Sequence, residues 1–133
     1  MRDIQSTLLY HWFEEVWNQN NENAIEKLMS NTAEFHGIDT GNYARGASGF
    51  KLFFRDFCTT FKNISIDVED VISQDDVESS RTVIRAMHAE TGKAVIFSGI
   101  CMARVENGKI GEAWNSYDFL SLYLQLGQRL VTE

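Results

Sequence analysis

The sequence predicts an α+β domain, with helices in its first half and an antiparallel meander in its second. Three observations carry that expectation. Apolar residues recur at helical spacing as far as Phe61 and then switch to strict alternation. The turn signals of the second half, Asp75-Asp76, Thr91-Gly92 and Asn107-Gly108, separate runs long enough for strands and close enough for hairpins. No linker, repeat or low-complexity stretch divides the 133 residues, so 1–133 reads as a single domain. A chain of that length buries roughly two-thirds of its unfolded surface, enough for one core.

The elements follow in order. Ile4, Leu8, Leu9, Trp12, Phe13, Val16 and Trp17 recur at helical spacing, and Tyr10 widens their arc. Thr7, His11, Glu14 and Glu15 make the polar remainder. An apolar arc that wide calls for cover on more than one side. Asn18 to Asn23 is a turn, and Asn23 with Glu26 three residues on resembles a capping box. Ile25, Leu28 and Met29 then give a short helix, with Asn31 as its stop. Residues 32–35 read as a short strand and 37–46 as a loop. Ser48 is placed to cap a third helix whose inner stripe is Phe50, Phe53, Phe54, Phe57 and Phe61.

The second half alternates. Ile64, Ile66, Val68 and Ile72 interleave with Ser65, Asp67 and Glu69, the period of a sheet with one wet face. Val77–His88 and residues 94–105 are two further strands. Asn107-Gly108 is a strong hairpin signal and leads into a last strand at 110–117. Residues 119–126 form a closing helix ended by Gly127. Proline is absent, so Gly, Asn and Asp must make every turn.

Charge narrows the function. Twelve Lys plus Arg stand against nineteen Asp plus Glu, a net charge of −7. Nucleic acid and an anionic membrane surface both need clustered positive charge, so neither is an expected partner. No apolar run approaches the ~18 residues of a spanning helix. Met1-Arg2-Asp3-Ile4 lacks the apolar stretch of a signal peptide, and Cys58 and Cys101 make no disulfide framework. The cytoplasm is the expected compartment.

No strong catalytic motif is present. There is no Walker loop and no nucleophile elbow, and Gly46-Ala47-Ser48-Gly49 does not follow a strand of a β-α-β unit. His11, His36, His88 and the two cysteines show no metal-ligand spacing, so no metal is expected. What remains is a set of polar residues within apolar elements. Asp118 ends the last strand and, without a bulge, shares a face with Ile110, Glu112, Trp114 and Ser116. A carboxylate beside Trp and Phe loses hydration, which raises its pKa and suits it to proton transfer. Asp before an apolar helical run is equally a favoured N-cap, and the two roles are compatible. Asp70 breaks the parity of its strand, which a bulge explains. Arg81, Arg85 and Arg104 can hold a polar substrate or pair with surface carboxylates. His36 before a Gly turn is a pocket hydrogen-bonder or a packed neutral histidine, and His88 lies on the parity of Thr82, Ile84 and Ala86. The excess of large apolar side chains, Phe13, Trp17 and Phe54 among them, fills a core or lines a deep apolar cavity.

The order of these pieces resembles the SnoaL-like polyketide cyclase branch of the nuclear transport factor 2-like superfamily. The matching stretches are WFEEVWNQNNENAIEKLM, FHG at 35–37, RGASGFKLFF, the strand ending in His88, TGKAVIFSGICMARVENGKIGEAW and YDFLSLYLQLG. The resemblance implies a cone: a curved antiparallel sheet wrapped around N-terminal helices, the cystatin-like α+β barrel, enclosing an apolar pocket. It implies cofactor-free acid/base chemistry, aldol cyclisation or isomerisation, on a small apolar carbonyl compound, with Asp118 as the acid/base. His36, His88, Arg104 and Trp114 become its pocket neighbours. The short loop Ala89-Glu90-Thr91-Gly92-Lys93 departs from many relatives, which have a longer segment there. Cys101 takes the place where ketosteroid isomerases carry an acidic oxyanion partner, which speaks against steroid isomerisation. The competing reading is a non-catalytic small-molecule-binding or dimerisation module in which Asp118 is only a cap. Both readings allow a homodimer through the outer sheet face, the habit of the superfamily.

Overall fold

A computed structural model of the protein describes residues 3–38 and 43–132, so part of the loop expected over 37–46 lies outside the described residues. The chain opens with a 3-10 turn, Ile4–Ser6, and helix α1 (Leu8–His11). Thr7 caps α1 by accepting from the Tyr10 N–H at 3.2 Å. A carboxylate from a distant strand completes the cap: Leu8 N–H donates to Glu78 at 3.1 Å and Leu9 N–H at 2.9 Å. From Trp12 to Asn18 the helix continues in π form. Its wider turn, with Gln19 N–H on the Glu14 carbonyl and Asn21 N–H on that of Val16, lets Trp12, Phe13, Val16 and Trp17 all be buried. The broad apolar arc of the sequence is therefore a change of helix type as well as of cover.

Three expected boundaries move. Helix α2 (Asn23–Leu28) already contains Asn23, whose N–H donates to the Asn21 side chain, so Asn23 is not its cap. Asn31 is not its stop either, because the chain passes at Met29 directly into strand β1 (Met29–His36). Burial of Met29, Ala33 and Phe35 extends that strand beyond the expected 32–35. Helix α3 (Gly46–Thr60) starts before Ser48, with Arg45 at its N-cap. Phe50 and Phe54 are buried and Phe53 and Phe57 half-buried, while Phe61 opens the next strand.

Strands β2 (Phe61–Gln74), β3 (Val77–His88), β4 (Ala94–Glu106) and β5 (Lys109–Tyr117) form the meander, and helix α4 (Phe119–Gln125) closes the fold. Asn107 (φ 53°) and Gly108 (φ 77°) make the tight turn their sequence predicts. The sheet runs β1-β5-β4-β3-β2, antiparallel except that β1 pairs in parallel with β5. It curves around the helices without closing. A register shift between Val68 and Asp70 explains the parity of Asp70, which faces out and pairs with Arg81 at 2.7 Å. The concave face presents Ile66, Ile84, Val95, Phe97, Cys101 and Ile110 to the π segment and α3. Each large side chain fully buried there contributes about 1.5–3 kcal/mol. Among the described residues no helix is long and apolar enough to cross a membrane.

Candidate functional site

Inside the cone the core is not completely filled. A cavity of about 50 Å³ lies between the N-terminal helix, α3 and the concave sheet. Trp12 and Trp17 line it from the π segment, and Phe50, Phe53 and Phe57 from α3. The strands supply Phe35, Ile66, Ile84, Phe97, Cys101 and Ile110, and Phe119 comes from the start of α4. Among the described residues that line it, none carries a charged side chain. Two are polar for most of their reach, Asn115 and Tyr117.

Both sit on β5, and the backbone explains their placing. Tyr117 is registered opposite Gly99 on β4, where a Cβ would lie 2.0 Å from the tyrosine ring. Only a glycine leaves room for the ring on the sheet floor. Phe97 meets that ring edge-on at 6.4 Å, and Phe119 lies 5.8 Å away. Burial pushes the Tyr117 phenol well above its ordinary range, so it holds its proton. Asn115 Nδ2 donates to the His36 carbonyl at 2.9 Å. The two strands meet closely there: a Cβ on Gly37 would lie 1.8 Å from the Asn115 carbonyl oxygen. Cys101 is a buried thiol whose pKa is pushed up to about 12, which makes it inert packing.

Asp118 does not share the Ile110 face. Val105 pairs with Ile110 and Arg104 with Glu112, so Gly111 is an extra residue that exchanges the two faces of β5. Ala113, Asn115 and Tyr117 turn inward, and Glu112, Trp114, Ser116 and Asp118 turn outward. Asp118 is exposed and accepts from Ser121 N–H at 3.0 Å, the N-cap of α4. Its neighbours are Arg81, Ser98, Ile100 and Ser116, around a shallow depression on the outer face.

The other expected residues divide between three places. Trp17 lines the cavity, while Phe13 and Phe54 are buried in the core around it. His88 is half-buried at the end of β3, 5.6 Å from the Phe61 ring and hydrogen-bonded to Thr91, and it is not part of the cavity lining. His36, Arg104 and Trp114 come together on the outer face. His36 stacks on Trp114 at 5.8 Å, and the Arg104 guanidinium lies 5.3 Å from the same ring. Glu112 joins them, with one oxygen 2.9 Å from His36 Nε2 and the other 2.9 Å from Arg104. The His36 hydrogen bond, aided by the His36 and Arg104 charges, holds the Glu112 carboxyl below its ordinary range. Ligand atoms of Glu34, His36 and Glu112 lie within 4.8 Å of one another, the one metal-compatible group among the described residues. Arg45 at 3.2 Å from Glu34 and Arg104 on Glu112 already balance those carboxylates.

The sequence reading passed over Tyr117 and Asn115. The signal that finds them is Gly111: an isolated glycine within a strand marks a bulge, and a bulge moves every later residue to the opposite face.

Comparison with known proteins agrees with this architecture. The profile of the SnoaL-like polyketide cyclases matches residues 7–126. The chain belongs to that family. Among curated proteins, none matches. Among solved structures, this SnoaL-like chain is similar to TsrD from Streptomyces laurentii, at 18% identity over 96% of this chain and 98% of that one, with a TM-score of 0.82. It is similar to a SnoaL-like polyketide cyclase from Agrobacterium tumefaciens, at 17% identity, 92% and 99% coverage and a TM-score of 0.75. A protein of ketosteroid isomerase-like fold from Catenulispora acidiphila superposes with a TM-score of 0.81 at 13% identity, covering 92% and 93% of the two chains. At these identities the likeness speaks for the fold.

Proposed function

We propose that this SnoaL-like protein binds a small apolar molecule inside the cone. The observation that carries the reading is the cavity itself, walled by aromatic and aliphatic side chains, with Asn115 and Tyr117 as its main polar points. An apolar site with a few polar groups is the usual form of a small-molecule pocket.

A second reading adds cofactor-free acid/base chemistry on a carbonyl compound, with Asp118 as the base. Family membership supports it, and so does the position of Asp118 one residue beyond Tyr117. It requires the carboxylate to leave the Ser121 N–H and turn from the outer face to the inner one. Exchange of the α-protons of acetophenone in deuterated buffer, followed by NMR, separates the two readings without knowledge of the natural ligand. Protein-dependent exchange that Asp118→Asn abolishes supports the enzyme. Binding without exchange supports the binding module.

The proposal includes a homodimer across the outer sheet face. Ile96, Ile100 and Met102 form an exposed row along β4, at 48%, 47% and 39% exposure. The charges beside them are already paired within the chain, Arg81 with Asp70 and Arg85 with Asp67, so a second copy meets little uncompensated charge. Ile100→Glu is expected to halve the mass seen by sedimentation; a wild-type monomer at tens of micromolar contradicts the dimer.

A further inference from the structure

Residue spacing along the chain shows no metal site, but strand pairing brings together ligand types that lie 76 residues apart. Glu34 and His36 are two residues apart on β1 and so share a face. The parallel register sets Glu112 of β5 opposite Glu34. We propose that Glu34, His36 and Glu112 form a binding site for one divalent transition ion of the zinc class on the outer face of the sheet. The site is separate from the cavity and does not depend on what the cavity holds.

The three ligand atoms already converge. His36 Nε2 lies 2.9 Å from Glu112 Oε2 and 3.9 Å from Glu34 Oε2, and all three atoms fall within 4.8 Å of one another. Ligands about 2.1 Å from a tetrahedral zinc ion stand about 3.4 Å apart, so side-chain movements of about 1 Å close the trio on an ion. Groups around the trio aim it. Arg45 holds Glu34 Oε1 at 3.2 Å and Arg104 holds Glu112 Oε1 at 2.9 Å, so in each carboxylate the other oxygen faces the imidazole. Trp114 stacks on the His36 ring, with 5.8 Å between centroids and 26° between planes, and fixes the ring's orientation.

The inner atoms are short of protons. His36 Nε2 carries at most one, which at 2.9 Å serves Glu112 and leaves Glu34 Oε2, at 3.9 Å, beyond hydrogen-bond reach. A divalent cation in place of that proton meets all three lone pairs at once. An imidazole with two carboxylates suits zinc and its neighbours, whereas magnesium and calcium prefer all-oxygen sets. Arg45 and Arg104 cancel the two carboxylate charges, so the ion gains less Coulomb energy than it would from bare carboxylates. Binding is therefore expected to be micromolar. Three protein ligands leave at least one position to water. An ion held there ties edge strand β1 to β5.

Titration of the chelator-treated full chain with zinc tests the site, followed by calorimetry and by NMR of the histidine ring nitrogens. Expected is one zinc ion per chain, with the His36 Nε2 resonance shifted and those of His11 and His88 unmoved. Glu34→Gln is expected to weaken zinc at least ~10-fold. Because Glu34 is half-buried and its ion pair lies at the surface, the variant should melt within about 2 °C of wild type in the presence of chelator. His11→Gln removes the other histidine beside a carboxylate, Glu15, and is expected to leave zinc affinity unchanged. Millimolar magnesium should not compete. The His36 shift is read on wild type, so it decides the matter independently of how any variant folds. No saturable binding at about 100 μM zinc, equal affinity in Glu34→Gln, or a shift at His11 in place of His36 overturns the inference.

Discussion

Removing the Glu78 carboxylate is expected to loosen the helix that carries the cavity's two tryptophans. Glu78 sits on β3 at 3% exposure and receives the Leu8 and Leu9 N–H groups, the first donors of α1. Helix starts have unpaired N–H groups, and a carboxylate there satisfies them and complements the helix dipole. Hydrogen bonds to a charged acceptor are worth about 1.5–3 kcal/mol each. Thr7 still caps Tyr10, so Glu78→Ala should cost about 3 kcal/mol rather than the full sum of two. Glu78→Gln keeps one acceptor oxygen and should cost about half of that. For 133 residues the unfolding entropy is about 0.28 kcal/mol/K, so the alanine variant should melt about 11 °C lower. Urea unfolding followed by tryptophan fluorescence, with the m-value unchanged, reads the cost directly. A loss below about 1 kcal/mol for Glu78→Ala, or equal losses for alanine and glutamine, would refute the capping account.

Other substitutions test neighbouring links. Gly99→Ala places a methyl in the Tyr117 ring, so it should destabilise by about 1–3 kcal/mol in urea and weaken acetophenone binding together. Asp118→Ala should cost about 1 kcal/mol as a lost N-cap, and Asp118→Asn only a few tenths, with ligand affinity unchanged in both. Glu112 has a depressed carboxyl, so its contribution to stability is present above the ordinary carboxyl pKa of 4.5 and is lost as pH falls through its lower folded value. Wild type and Glu112→Gln should therefore differ in melting temperature at pH 7 and converge as pH falls from 4.5 through the lower folded value. A constant gap across that range would exclude the titration of Glu112 as its source.

Much of the fold was legible because local signals and tertiary packing agree. The alternation in β2, the Asp75-Asp76 and Asn107-Gly108 turns and the limits of β3 follow from residue period and turn chemistry alone. Asn23, Asn31 and Ser48 misled because polar residues near a helix end satisfy local rules that packing then overrides. Burial of Met29 draws the chain into β1 before Asn31, and the docking of Gly46 on the Asn31 carbonyl starts α3 before Ser48. Parallel pairing of β1 with β5 has no local signature, since the partners lie some eighty residues apart.

The site was less legible than the fold, and one residue accounts for most of the difference. Without Gly111, Trp114 and Asp118 would face the interior, as the alternation from Ile110 suggests. With it, Asn115 and Tyr117 do, and His36, Arg104 and Trp114 gather on the far side around Glu112. Trp17 was placed at the cavity by the breadth of its helical arc, a signal that survives the change to π geometry.

The central claim, an apolar ligand held inside the cone, is tested most directly by methyl NMR on isoleucine-labelled protein titrated with acetophenone. Ile38, Ile64, Ile66, Ile84 and Ile110 line the cavity, whereas Ile72, Ile96 and Ile100 lie exposed on the outer strands. The account predicts shifts confined to the first group, saturating with a single affinity. Shifts at the second group, or at neither, would contradict it.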